Sequence, residues 1–257
     1  MRVVHLWLLL AATTVLGLAF TGAENSKSPG RFAVKIEAAP PMAVPANGSI
    51  TGTVKYAGKA PAKTKLPVTK DTEVCGKQEH YDESLLVDAN GGIKDVVVSI
   101  TGVTGGKSLT ALGSDFVIDQ KGCMYSPHVS VVPVKTPIRV LNPDGILHNV
   151  HSYSTKNKEF NMSQPKFMKE KKITYDFAEL VTLKCDVHGW MNAKVMVVDH
   201  PYHAVTDANG NFTITDVPPG TYTVEYWQEK LGKQTAKVTV TAGAAAKADF
   251  TYPAAAK

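Results

Sequence analysis

The chain has 257 residues and a formal charge of +5, with ordinary aromatic and charged fractions that place it among globular proteins. That length allows one large or two small domains, each with its own core. The basic excess comes from scattered lysines read as a solvated surface, and no nucleic-acid-binding motif accompanies it, so nucleic acid is excluded as an expected partner.

Arg2 precedes an apolar stretch over residues 3–20, followed by Thr21-Gly22-Ala23. A basic start, an apolar middle and a small-residue exit describe a secretory signal peptide over residues 1–23. The alternative is an uncleaved membrane anchor, because 18 positions stand at the lower edge of a span. Either way the rest is expected in the periplasm or outside the cell, with no membrane association beyond that segment. Residues 24–47 are rich in Ala, Pro, Ser and Lys and read as a flexible linker.

From Ser49 the signals become β. Residues 50–56, 96–100, 128–132, 138–141, 173–177, 181–185 and 193–198 are short β-rich runs with turn residues between them. That pattern indicates a sandwich or barrel. A second unit follows His200-Pro201. Asp207-Ala208-Asn209-Gly210 turns into one strand and Pro218-Pro219-Gly220 into another, and residues 237–240 and 248–252 finish it. The run from Thr206 to Trp227 resembles the carboxypeptidase regulatory-like, or prealbumin-like, β-sandwich module, a match that speaks for fold and little for function. Such modules open with a Gly-Thr-Val strand, and Gly52-Thr53-Val54 has that look far upstream. Two arrangements stay open. Residues 48–199 form one domain and 200–253 another, or residues 49–103 pair with the C-terminal module and the remainder is inserted into it.

The most specific chemistry lies in Cys185-Asp186-Val187-His188-Gly189-Trp190-Met191, with Leu147-His148-Asn149-Val150 upstream. Together they offer a thiolate, two imidazoles and a thioether, the ligand set of a trigonal His₂Cys copper site with a weak axial Met. Sulfur donors favour Cu(I) and imidazole suits both copper states, so the set tolerates a metal that cycles. A loop with Cys, His and Met at i, i+3 and i+6 between two strands can bring three side chains around one point. The thiol must lose its proton to bind. His151 competes for the upstream position. In an extended strand His148 and His151 point to opposite faces, and His148 is preferred because Asn149 follows it. His128, His200 and His203 read as structural or solvent-facing.

Three cysteines are an odd number for an exported chain. With Cys185 at the metal, Cys75 and Cys123 remain for a disulfide. The alternatives are three separate thiols, or a second site at Cys123, Met124 and His128. Trp190 either packs the loop or forms an apolar rim where a partner docks.

These pieces resemble a cupredoxin, most closely the amicyanins of the plastocyanin-like group. His148-Asn149-Val150-His151 is similar to the family's segment around its first histidine, and Cys185-x-x-His188-x-x-Met191 has the amicyanin loop spacing. The strand at 138–142 followed by Asp144 resembles the one leading into that histidine. The resemblance covers residues 124–199. It implies an all-β protein, a cupredoxin-like Greek-key β-sandwich beside the smaller prealbumin-like one. It further implies one type 1 (blue) copper on His148, Cys185, His188 and Met191, with Asn149 tying the two ligand loops together and offering its N–H to the thiolate. The function implied is single-electron transfer to a redox protein partner through an exposed His188 edge, without catalysis. Competing readings are a copper-binding or delivery protein without a redox circuit, and a non-metal interaction module. Leu147 and Gly189 depart from the family, which has Pro at both places, and a glycine loosens the ligand loop.

Overall fold

The computed structural model describes residues 46–254; the expected leader and the linker up to residue 45 lie outside the described residues. Among the described residues strands dominate, and the helical pieces are Thr72–Cys75 and the 3-10 turn Leu109–Leu112. No helix there is long and apolar enough to cross a membrane.

The strands build two sandwiches, each around its own core. In the first, a five-stranded sheet runs in spatial order Val129–Pro133, Asn192–Val198, Glu179–Lys184, His148–Tyr153 and Phe160–Gln164. The first two strands are parallel and the other neighbours antiparallel. A three-stranded sheet of Glu170–Ile173, Ile138–Leu141 and Phe116–Asp119 shares its core. The period-2 alternation decides which side chains turn inward. Ile138 and Val140 are buried while Arg139 and Leu141 are half-exposed, and Val181 and Leu183 are buried while Lys184 faces water. Each such buried aliphatic side chain stabilises the fold by about 1.5–3 kcal/mol.

The second sandwich holds Asn211–Val217, Gly48–Tyr56, Ala245–Lys247 and Phe250–Tyr252 in one sheet, and His203–Val205, Val97–Thr101, Gly220–Gln228 and Gly232–Val240 in the other. Gly48–Tyr56 lies antiparallel to Asn211–Val217 and parallel to the two last strands. Val97–Thr101 sits between His203–Val205 and Gly220–Gln228. The opening strands therefore hydrogen-bond to the C-terminal ones, and the strands from Phe116 to Val198 form the sandwich that interrupts them. The Gly-Thr-Val signal has a physical reason. A Cβ on Gly52 would stand 2.6 Å from the Ala248 carbonyl oxygen and 2.9 Å from the Phe212 ring, so the close strand pairing excludes any larger residue.

One expected strand is misplaced. The chain is extended over Glu170–Ile173, so of the expected run 173–177 only Ile173 lies in a strand. Asn157 Oδ1 accepts the backbone N–H groups of Asp176 (2.7 Å) and Phe177 (2.9 Å), which turns the chain there.

Between Gly48–Tyr56 and Val97–Thr101 the chain makes a small hairpin, Lys65–Leu66 with His80–Tyr81, and the helix Thr72–Cys75. Cys75 is disulfide-bonded to Cys123. This crosslink fastens the segment to the first sandwich and removes Cys123 from any second metal site with Met124 and His128.

Candidate metal centre

His148 opens its strand, Cys185 follows the end of Glu179–Lys184, and Met191 precedes Asn192–Val198. Three neighbouring strand ends thus present the expected donors. The Cys185 N–H donates to the Met191 carbonyl (3.2 Å) and the Met191 N–H to the His188 carbonyl (2.9 Å), which closes the seven-residue loop on itself. Met191 is fully buried in the core that includes Cys185 and Trp190.

Ligand atoms of His148, Cys185 and His188 all lie within 4.8 Å of one another, and the three residues are buried. His148 Nδ1 is 3.0 Å from His188 Nδ1, and Cys185 Sγ is 3.7 Å from His188 Nδ1. The outer nitrogens are fixed by carboxylates. His148 Nε2–H donates to Asp144 Oδ2 (2.9 Å) and His188 Nε2–H to Asp71 Oδ2 (2.8 Å). Asp144 is itself held by the N–H groups of Gly122 (2.7 Å) and Cys123 (2.8 Å). With both Nε2 atoms committed as donors, both Nδ1 lone pairs point at one place. Two facing lone pairs repel unless a cation lies between them, either a proton on one ring or a metal ion shared by both. A thiolate beside them completes a donor set that suits a soft or borderline metal, and carboxylates are usual outer partners of imidazole ligands.

The thiol is prepared for this. Burial opposes ionisation of Cys185, but hydrogen bonding with the His148 and His188 rings, together with the N–H groups of Asn149 and His188, outweighs it and brings it down to about 6. Burial likewise opposes a charged His148, and the bonds to Asp144 and Cys185 override it and raise its affinity for a proton.

Asn149 Oδ1 accepts the N–H of Asp186 (2.6 Å) and of Val187 (3.3 Å), bridging the two ligand segments. Tyr125 donates its hydroxyl to the Asn149 carbonyl (2.6 Å) from beneath. His151 points away and bonds Asp186 at 3.0 Å, outside the trio.

One expectation needs correction, and one open alternative is decided. His188 is 0% exposed and has no free edge. Trp190 is 8% exposed, donates Nε1–H to the Cys123 carbonyl (3.0 Å) and stacks on His80, so it packs the loop and offers no docking rim. The cause in both cases is the segment carrying Asp71, His80 and Cys75, which covers this end of the sandwich. Asp71 and the backing role of Asp144 were not foreseen from sequence. Asp144 sits four residues before His148, a spacing that could have suggested it; Asp71 is 117 residues from His188 and carries no such sign.

A buried His–Cys–His group in an all-β frame defines the class of site. A family profile for the carboxypeptidase regulatory-like domain matches residues 188–253. Among solved structures the chain is similar to a purple cupredoxin from Nitrosopumilus maritimus, at 22% identity over 33% of this chain and 100% of that one, with a TM-score of 0.29. It is also similar to an amicyanin variant in the Cu(I) state (18% identity, 39% of this chain and 98% of that one, TM-score 0.30). A copper-containing nitrite reductase from Thermus scotoductus matches at 17% identity over 38% of this chain and 25% of its own length, with a TM-score of 0.31. No curated protein sequence matches the chain.

Proposed function

We propose that this chain is an exported type 1 copper protein that holds one copper ion through His148, Cys185, His188 and Met191 and passes single electrons between redox protein partners. The facing Nδ1 atoms of His148 and His188, 3.0 Å apart beside the Cys185 thiol, carry this reading. Bound copper supplies a one-electron couple there. The rest is work for the chain's own residues. Asp144 and Asp71 hold the two rings with Nδ1 inward, Asn149 locks one ligand segment to the other, and burial keeps water out. Ligands held this rigidly move little between oxidation states, which keeps electron transfer fast. In this reading residues 1–23 are a leader, residues 24–47 a linker, and the copper unit is an insertion within the regulatory-like module.

A copper-binding or delivery role without a redox circuit is the second reading. The enclosure of His188 favours it, because no imidazole edge meets solvent.

Loading the mature chain with Cu(II) and recording its visible spectrum and potential separates the two. Intense thiolate-to-copper absorption with a reversible couple supports the carrier. A colourless protein that holds only Cu(I) supports delivery. Absence of tight binding overturns both, and full copper affinity in Cys185→Ala overturns the ligand set.

A further inference from the structure

Asp71 reaches the metal centre from outside the sandwich that builds it. It lies in the segment between Gly48–Tyr56 and Val97–Thr101, immediately before the helix Thr72–Cys75. An Asp in that place usually caps its own helix with its side chain. Here the side chain makes no cap bond, and the backbone sits in the left-handed region at φ 49. The main-chain carbonyl still accepts the N–H groups of Val74 and Cys75, both at 2.9 Å. Local preference has thus yielded to a tertiary contact, the 2.8 Å bond from His188 Nε2–H to Asp71 Oδ2.

Both ends of that contact are pinned to one point. On the Asp71 side, Cys75 closes the helix and is bonded to Cys123. On the His188 side, Trp190 donates to the carbonyl of the same Cys123 at 3.0 Å. His80 joins the two by accepting Trp190 against its ring and bonding the Cys75 carbonyl at 2.8 Å. The Asp71 side chain is 37% exposed while the His188 side chain is 0% exposed, so the carboxylate stands at the boundary between ring and solvent.

Resting on the reading of this site as a copper centre, we propose that Asp71 is a clasp: a positioning residue that holds His188 with Nδ1 inward and governs how fast metal enters and leaves. A ring tied by a carboxylate at Nε2 cannot swing its inner nitrogen away. Freed from Asp71, His188 can rotate and admit water or a competing chelator.

The test uses the full mature chain with Asp71→Asn, which keeps the shape, and Asp71→Ala. In the metal-free proteins, nitrogen-15 spectra of the imidazoles report the His188 tautomer. The wild type is expected to show a solvent-protected Nε2–H, and Asp71→Ala to lose that protection and mix tautomers. In the copper-loaded proteins, transfer of Cu(I) to bathocuproine disulfonate is expected to be about tenfold faster in Asp71→Ala, with Asp71→Asn between. Equal transfer rates in all three, or a wild-type His188 without a protected Nε2–H, overturn the clasp. If the wild type takes up no copper, the copper reading fails by itself. The imidazole spectra then decide the clasp, supporting it where the Nε2–H signal depends on Asp71 and overturning it where it does not.

Discussion

His128 Nε2 lies 2.7 Å from Glu229 Oε2, and this bond joins the two sandwiches. His128 stands before Val129–Pro133 of the first and Glu229 just after Gly220–Gln228 of the second. The His128 side chain is 3% exposed and that of Glu229 18%, with Lys194 Nζ 3.4 Å from the other carboxylate oxygen. Burial pulls His128 toward its neutral form, but the bond and charge of Glu229 outweigh it and raise its pKa. Burial raises that of Glu229, and His128 with Lys194 more than reverses it.

These opposite shifts give the pair a window of pH. The raised His128 contributes stability that is fully present below its ordinary value of 6.5 and is lost as pH rises through the folded value. The lowered Glu229 contributes stability present above its ordinary 4.5 and lost as pH falls through the folded value. Glu229→Gln should therefore cost most between those two values, about 3 kcal/mol for a buried pair broken on one side. Thermal melts of wild type and variant across pH check this. A difference that does not change with pH refutes it.

The Cys75–Cys123 crosslink spans 48 positions. Chain-entropy reasoning assigns about 2–4 kcal/mol to such a loop. Replacing both cysteines with serine should lower the urea midpoint accordingly, with the strands of the second sandwich, which hold neither cysteine, retaining their amide protection longest. Uniform loss of protection throughout the chain would contradict that order.

Gly189 was expected to loosen the ligand loop. No heavy atom lies within 4 Å of where its Cβ would stand, and its backbone lies outside the left-handed region. Gly189→Ala should therefore stabilise the chain by about 0.4–1 kcal/mol, through fewer unfolded conformations. A lower urea midpoint in this variant would show that the loop uses glycine's freedom.

Met191→Leu tests the axial assignment. The swap nearly conserves volume in a full core and should cost less than about 1.5 kcal/mol. With Met191 as the weak ligand, the potential of the copper-loaded protein shifts while its colour persists. An unchanged potential would remove Met191 from the ligand set.

Much of this was legible in the residues. The alternation in 50–56, 138–141 and 181–185 named strands that exist, because a half-buried sheet imposes period 2 on its own sequence. The His148 segment and the Cys185–Met191 loop named side chains of which His148, Cys185 and His188 do meet. Phe160–Gln164 escaped notice because it is a mostly exposed edge, where Asn161 and Ser163 face water and weaken the apolar signal. Asp71 escaped for a different reason. A single Asp before a four-residue helix reads as a local cap, and only the folded chain carries it to His188. For Trp190 the residues left packing and docking both open, since its enclosure depends on Cys123 and His80, which are far away in sequence.

The parallel pairing of Val54 with Phe250 closes nearly the whole described chain into one ring. Every strand of the first sandwich is complete once Val198 has been made, whereas the second waits for Tyr252. A growing chain can thus shut around Cys185 while Gly48–Tyr56 still shows an unpaired edge. Contacts of such long range form late and slowly. The hazard of mispairing during synthesis therefore falls on the mount, and the insertion it holds is sheltered from it.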